Sequence, residues 1–141
     1  MATRADIVAE ARSWVGTPFC HQGRAKGLRV DCAGLIVEVG RVLGLNVPQQ
    51  TNYGRFPMPQ WLKPVLEEYF DRVAAEDVKQ GDFFYSRDFL IGGAPRHFGF
   101  LTPDGTIIHA DMRRGKCVEH TLLPEQRRCF VSYHRFRGLV D

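Results

Sequence analysis

Arg96-His97-Phe98-Gly99-Phe100-Leu101-Thr102-Pro103-Asp104-Gly105-Thr106-Ile107-Ile108-His109-Ala110 reads as two short strands joined by a tight turn. Proline suits the first turn position and glycine the left-handed one, so Pro103-Asp104-Gly105 is a three-residue hairpin loop. Loop length sets the register. With Thr102 opposite Thr106, paired residue numbers sum to 208, so Gly99 faces His109 and His97 faces Asp111. Both imidazoles then share one face as diagonal neighbours, whereas an even-length loop would place them on opposite faces. A lone strand histidine is usually structural. Two on one face, with a glycine leaving room beside one of them, point to a site.

Further β-type runs flank this hairpin at residues 83–85, 117–120 and 129–136, each bounded by turn residues. Helical patterns come before them. Thr3 suits a cap for a first helix whose apolar face is Ile7, Val8, Ala11, Trp14 and Val15, ending at Gly16. A second helix carries Leu35, Ile36, Val39, Val42 and Leu43 and stops at Gly44, a residue suited to the left-handed C′ position. Beyond a loop over 48–59, Trp61, Leu62, Val65, Leu66 and Tyr69 mark a third, in which Pro64 is tolerable only in the first turn. Helices preceding a mainly antiparallel sheet of about five strands give an α+β layout, with 1–141 read as one domain. The Gly/Pro-rich stretch 91–95 reads as a connection or as a lid over a cleft.

The second helix opens at Asp31-Cys32-Ala33-Gly34-Leu35. Asp31 is a capping-type residue, and the partial positive charge of a helix start favours thiolate over thiol. In such settings a cysteine pKa of about 8.5 drops to roughly 3.5–7.5. Cys32 is therefore expected to be a nucleophile with a lowered pKa; the alternative is a small buried hydrophobe. The helix N-terminus is expected to meet the face that carries the histidines. A nucleophile, a base and a group orienting the base would then be Cys32, His97 and His109.

Trp14-Val15-Gly16-Thr17-Pro18-Phe19, Asp31-Cys32-Ala33-Gly34-Leu35, His97-Phe98-Gly99 and Ile108-His109-Ala110 follow, in order, the motifs of the NlpC family, which the chain resembles over residues 5–110. That family contains papain-like cysteine peptidases of bacterial cell walls. The twelve-residue spacing of His97 and His109 is similar to the family's. The resemblance implies a papain-like fold, Cys32 as nucleophile, His97 as general base and then acid, and His109 as the polar residue orienting it. It also implies hydrolysis of peptidoglycan stem peptides, commonly at the D-γ-glutamyl–diaminopimelate bond, with no cofactor. Phe19-Cys20-His21-Gln22-Gly23-Arg24-Ala25-Lys26-Gly27 further resembles the subgroup found in tail modules of phages and phage-derived particles. Tail or baseplate proteins would then be partners.

Two positions depart from the pattern. Phe19 stands where the family usually has tyrosine, and Ala33 where it has serine. Phe19, Ala33 and Asp31 are the candidate substrate-binding residues, and two hydroxyls are missing from that set, which weakens discrimination for a polar substrate group. Asp31 reads equally as a substrate-amine ligand or a helix cap. The 65 residues from Cys32 to His97 are more than a minimal member needs, and insertions near 56–59 and 88–95 account for the excess. A thiol amidase or acyltransferase on another substrate, and a structural tail protein without turnover, are the alternative readings. Intact Cys32, His97 and His109 argue against the last.

Composition fits one globular core: 141 residues, 44% hydrophobic and 25% charged. The formal charge of +3 is mild, and the basic residues are scattered, with short clusters at Arg113-Arg114 and Arg127-Arg128. These read as solvated surface and not as a nucleic-acid interface. No run approaches the roughly twenty apolar residues of a membrane span. The N-terminus, with Arg4, Asp6 and Glu10 in an amphipathic pattern, lacks a signal peptide's apolar centre. The expectation is cytoplasmic synthesis and delivery to the wall by a particle or by lysis. Cys20, Cys32, Cys117 and Cys129 are then free thiols, with Cys20, Cys117 and Cys129 as core or strand residues. Cys20-His21 with Cys117 and His120 is a conceivable zinc set, but its spacing is wrong for a finger, so no metal is expected. His120 and His134 have no identifiable partner in the sequence.

Overall fold

The computed structural model describes residues 1–48 and 59–141, with the side chains of 59–61 excepted. Most of the 48–59 connection, the insertion expected near 56–59 and the Trp61 side chain lie outside the described residues. Helix α1 (Arg4–Arg12) is capped as its sequence requires. Thr3 Oγ1 accepts from the Asp6 amide at 3.1 Å, and Asp6 accepts from the Thr3 amide at 2.9 Å. Ile7, Val8, Ala11 and Trp14 are buried, but the helix stops before Val15, which is exposed. A short hairpin follows, β1 (Arg24–Ala25) with β2 (Arg29–Val30).

Helix α2 (Cys32–Val42) starts at the Asp31 cap and ends at Leu43, with Gly44 at φ +75°. Leu35, Ile36 and Val39 face the core, while Val42, expected on the same face, is exposed. Helix α3 (Pro59–Tyr69) contains Pro64 in its interior and not in its first turn. It runs without a turn residue into β3 (Phe70–Val73).

The remaining strands are β4 (Phe83–Asp88), β5 (Gly92–Leu101), β6 (Thr106–Asp111), β7 (Lys116–Thr121) and β8 (Phe130–Phe136), with a single helical turn α4 (Pro124–Arg127) before the last. They form one antiparallel sheet in the order β3-β8-β4-β5-β6-β7. The α+β layout is thus as expected, and the five expected strands are joined by a sixth, β3. The stretch 91–95 is neither lid nor loop. From Gly92 onward it belongs to β5, and a bulge between Ser86 and Asp88 absorbs the irregularity.

The β5–β6 hairpin closes as its loop length dictates. The Thr102 amide donates to the Thr106 carbonyl at 3.1 Å, Gly105 takes φ +74°, and the pairs Phe100↔Ile108 and Leu101↔Ile107 both sum to 208. The two faces of the sheet bury different clusters. Phe83, Tyr85, Phe98, Phe100, Ile108, Ala110 and Cys117 pack under α1 and α2. Phe84, Leu101 and Ile107 form a second cluster with Phe89, Phe130 and Tyr133. Phe136 is in the main core and Leu139 packs against it, so with Tyr133 these late residues complete the interior. Asp82, fully buried at the foot of β4, accepts from Arg4 at 3.1 Å and from Arg135 at 2.9 Å, tying α1 to β8. Among the described residues no helix is long and apolar enough to cross a membrane.

Candidate active site

Cys32 is the first residue of α2 because Asp31 fixes that helix start. Asp31 Oδ1 accepts from the Gly34 amide and Oδ2 from the Gln22 amide, both at 2.7 Å. The carboxylate is buried and held by backbone donors, which makes it a structural cap that also ties down residues 20–23. Phe19 is held by its amide N–H, which donates to the Gly115 carbonyl at 2.8 Å, and by a parallel β-bridge with Val30. Cys32, Phe19, His97 and His109 line one cleft, together with His21, Phe89, Arg96, Asp88, Asp111 and Arg113. Asp31 and Ala33 do not line it; Ala33 packs on the core.

The cleft exists because β5 and β6 pair only beside their turn. Past Phe100↔Ile108, β5 stays with β4 and β6 with β7. Strand alternation puts His97 and His109 on the face of Phe84, Leu101 and Ile107, opposite the face on which α2 packs. The helix start and the histidines meet in this cleft, but from opposite faces of the sheet. Cys32 comes from one side of the sheet and the histidines from the other, and they converge at the gap between the strands.

His97 Nε2 and His109 Nδ1 are 2.8 Å apart. His109 Nε2 is 2.7 Å from His120 Nε2, and His120 Nδ1 is 2.9 Å from the Thr121 carbonyl. Three imidazoles thus form one chain across β5, β6 and β7. His120 was not legible as a partner because its place depends on the β6–β7 register. The turn after Asp111, with Gly115 at φ +74°, sets Ile107 opposite His120 and leaves His120 diagonal to His109. Gly115 in the sequence was the available signal.

Burial dominates the electrostatics. The Cys32 thiol is pushed up to about 12, first by burial and then by the Asp31 charge, against amide hydrogen bonds from Phe98, Ala33 and Cys32 itself. The lowered thiol expected from a helix start is thus reversed: the protein around the sulfur, together with an adjacent carboxylate, outweighs the helix end. The thiol accordingly donates to the Arg96 carbonyl at 3.7 Å. His97 is brought down to about 4 by burial, against the carboxylates of Asp111 and Asp88. His109 is brought down to about 2 by burial, then by His97, His120 and Arg114. The resting site is a neutral thiol beside neutral imidazoles.

Asp88 braces the cleft rim. It accepts a two-pronged pair from Arg113, at 2.9 and 3.0 Å, and the amides of Leu90 and Ile91, with Arg96 at 3.5 Å. Burial raises this carboxyl, but Arg113 and the two amides outweigh it and hold it well below the usual carboxylate range. Arg113, read from the sequence as solvated surface, is exposed and is also one half of a link between the β4–β5 and β6–β7 turns. Among the described residues no group of three or more potential ligands is arranged for a metal. Cys117 is buried, Cys129 is partly exposed, and Cys20 is exposed and not in the core.

The sequence model of the NlpC/P60 family matches residues 16–127. The chain belongs to the NlpC/P60 family. The match spans Phe19, Cys32, His97, His109 and His120. Solved structures share the fold. An NlpC/P60 family protein from Bacillus cereus superposes with a TM-score of 0.73 at 18% identity, covering 96% of this chain and 40% of that one. The NlpC/p60 domain of the peptidoglycan hydrolase SagA gives 0.64 at 22% identity, covering 94% and 97%. RipD from Mycobacterium tuberculosis, a non-catalytic NlpC/p60 domain protein adapted to peptidoglycan binding, gives 0.64 at 14% identity, covering 99% of each. This chain spans less than half the length of the Bacillus cereus protein. No curated protein matches its sequence.

Proposed function

We propose that the chain is a cysteine endopeptidase that hydrolyses peptidoglycan stem peptides at the D-γ-glutamyl–diaminopimelate bond, with Cys32, His97 and His109 as its catalytic residues. The observation that carries this is the convergence, in one cleft, of a cysteine at a helix start and a histidine pair 2.8 Å apart. Because thiol and imidazole are both neutral at rest, His97 takes the thiol proton as the sulfur attacks the amide carbon. The tetrahedral oxyanion is met by the Cys32 amide. Collapse expels the amine, which receives the proton from His97. Water, deprotonated by His97, then hydrolyses the thioester and restores the thiol. The site itself accounts for every proton in the cycle, so no cofactor is needed.

Phe19 lines the cleft and offers an apolar ring where a hydroxyl would otherwise bind substrate. Ala33 removes a second hydroxyl from the helix start, and Asp31 acts on substrate only through the helix it caps. Peptide selection in this chain therefore rests on shape and on the charged rim of Arg96, Asp88 and Arg113. The segment 19–27, with its resemblance to phage-tail members, supports a place in a tail or tail-like particle, docked on baseplate proteins and built from cytoplasmically made chains.

The test is digestion of purified peptidoglycan and of synthetic stem peptides by wild type and Cys32→Ala, with products identified by mass spectrometry. Wild type is expected to release fragments ending in D-glutamate, and the variant none. Products shared equally by both sink the proposal, and binding without release by either assigns the chain to a non-hydrolytic role.

A further inference from the structure

The proposed reaction has an electrostatic difficulty: a proton moved from Cys32 to His97 leaves a cation against the fully buried Phe84 and the buried His109. His109 is buried and His97 half-buried, and the surrounding protein holds both imidazoles below their ordinary range. His120 is the partly exposed end of the chain. A carbonyl oxygen only accepts, so His120 Nδ1 carries the hydrogen that reaches Thr121. Neutral His120 must then accept at Nε2, so His109 donates from Nε2 and accepts at Nδ1. His97 in turn donates from Nε2, which leaves a bare lone pair on its Nδ1. One backbone carbonyl at the far end of the chain thereby fixes the tautomer of the base.

We propose that His120 is a positioning and proton-accepting residue, which sets His97 with a free Nδ1 and receives, through His109, the positive charge created when the thiol proton is taken. The step balances. The Sγ–H bond breaks as Nδ1–H forms on His97; the His97 Nε2 proton passes to His109 Nδ1, and the His109 Nε2 proton passes to His120 Nε2. The products are a thiolate and a His120 imidazolium that still donates to Thr121. The groups facing the relay are Asp111, Asp88, Arg113 and Arg96 around His97, and Arg114 near His109. Glu119, next to His120, lies on the opposite face of β7, bound to Arg12 and Thr106.

This inference rests on the proposed reaction, but its test does not need the substrate. Long-range ¹⁵N–¹H correlation spectra of histidine-labelled wild type near neutral pH are expected to show Nε2–H on His97 and His109 and Nδ1–H on His120. A hydrogen on Nδ1 of His97 overturns the proposal. Site-resolved alkylation of Cys32 by iodoacetamide is then followed against pH in wild type and His120→Gln, which keeps an acceptor for His109 but takes no proton. The variant is expected to alkylate at least about tenfold more slowly near neutral pH, with unchanged circular dichroism, and to approach wild type only as the thiol itself titrates. Equal rates at all pH values overturn the proposal. If the variant does not fold, the wild-type tautomers alone decide. Failure of wild type to cleave peptidoglycan would overturn the hydrolase reading while leaving both of these measurements intact.

Discussion

Phe84 lies directly across Gly99, so that a methyl group on Gly99 would stand 2.5 Å from the Phe84 ring and 2.9 Å from Cβ of His109. The ring has nowhere to go, being fully buried and stacked on Phe130 at 4.2 Å between centroids. Gly99 therefore provides the space in which His109 stands beside its own strand partner.

Gly99→Ala should accordingly do two things at once. Overpacking costs about 1–3 kcal/mol of stability, and His109 is displaced from His97. Thermal melting should drop by several degrees, and hydrolysis should fall more than tenfold even well below the new midpoint. Normal activity in a folded Gly99→Ala protein would show that His109 is not held by this contact.

The pH dependence of stability follows from the buried histidines. His134, paired with Ser132 at 2.8 Å, is held down to about 4 by burial and then by Arg72, in line with His97 at about 4 and His109 at about 2. In the unfolded chain these groups protonate near an ordinary 6.5, so between about pH 6.5 and 4 the unfolded state binds more protons. Stability is complete above that range and declines as pH falls through it. Asp88, with its lowered carboxyl, adds a loss in the same direction at lower pH. At roughly 3–6 °C per kcal/mol for a chain of this size, Tm at pH ~4.5 should lie more than about 5 °C below that at pH ~7. His134→Gln should flatten part of the slope. A level Tm over this range would mean that these imidazoles charge freely in the folded protein.

Asp88 and Arg113 bridge the two turns beside the cleft. Asp88→Ala leaves the Leu90 and Ile91 amides and Arg113 without their acceptor, so the rim loosens. A loss of about 1–3 kcal/mol in stability and a rise in KM larger than the fall in kcat are expected. Arg113→Ala should reproduce the KM effect with a smaller stability change, since Arg113 is exposed where Asp88 is buried. If kcat alone falls in both variants, the rim acts on chemistry and not on substrate hold.

What was legible in the sequence was what short-range rules decide. Thr3 with Asp6, Asp31 with Gly34, and the three-residue loop at Pro103-Asp104-Gly105 each satisfy local hydrogen-bonding or turn constraints, so the helix starts and the hairpin register could be read directly. Strand β3 escaped because α3 passes into it with no turn residue and its Phe70 and Val73 lack strand alternation. The charge state of Cys32 escaped for a different reason: helix-end electrostatics is local, whereas the burial that overrides it comes from β5, sixty-four residues away at Arg96. His120 and Arg113 were hidden behind the β6–β7 register, which also decides which polar groups meet across the cleft.

The central claim is that Cys32 forms a covalent acyl-enzyme under His97. Intact-protein mass spectrometry of acid-quenched mixtures with a synthetic stem peptide tests it most directly. Wild type should carry an adduct equal to the acyl half of the peptide minus one water, with the amine half free in solution and the adduct mapped to Cys32. His97→Ala should show the adduct reduced by at least about a hundredfold, and Cys32→Ala should show none. Peptide cleavage by wild type without any adduct on Cys32, and persisting in Cys32→Ala, would contradict the account.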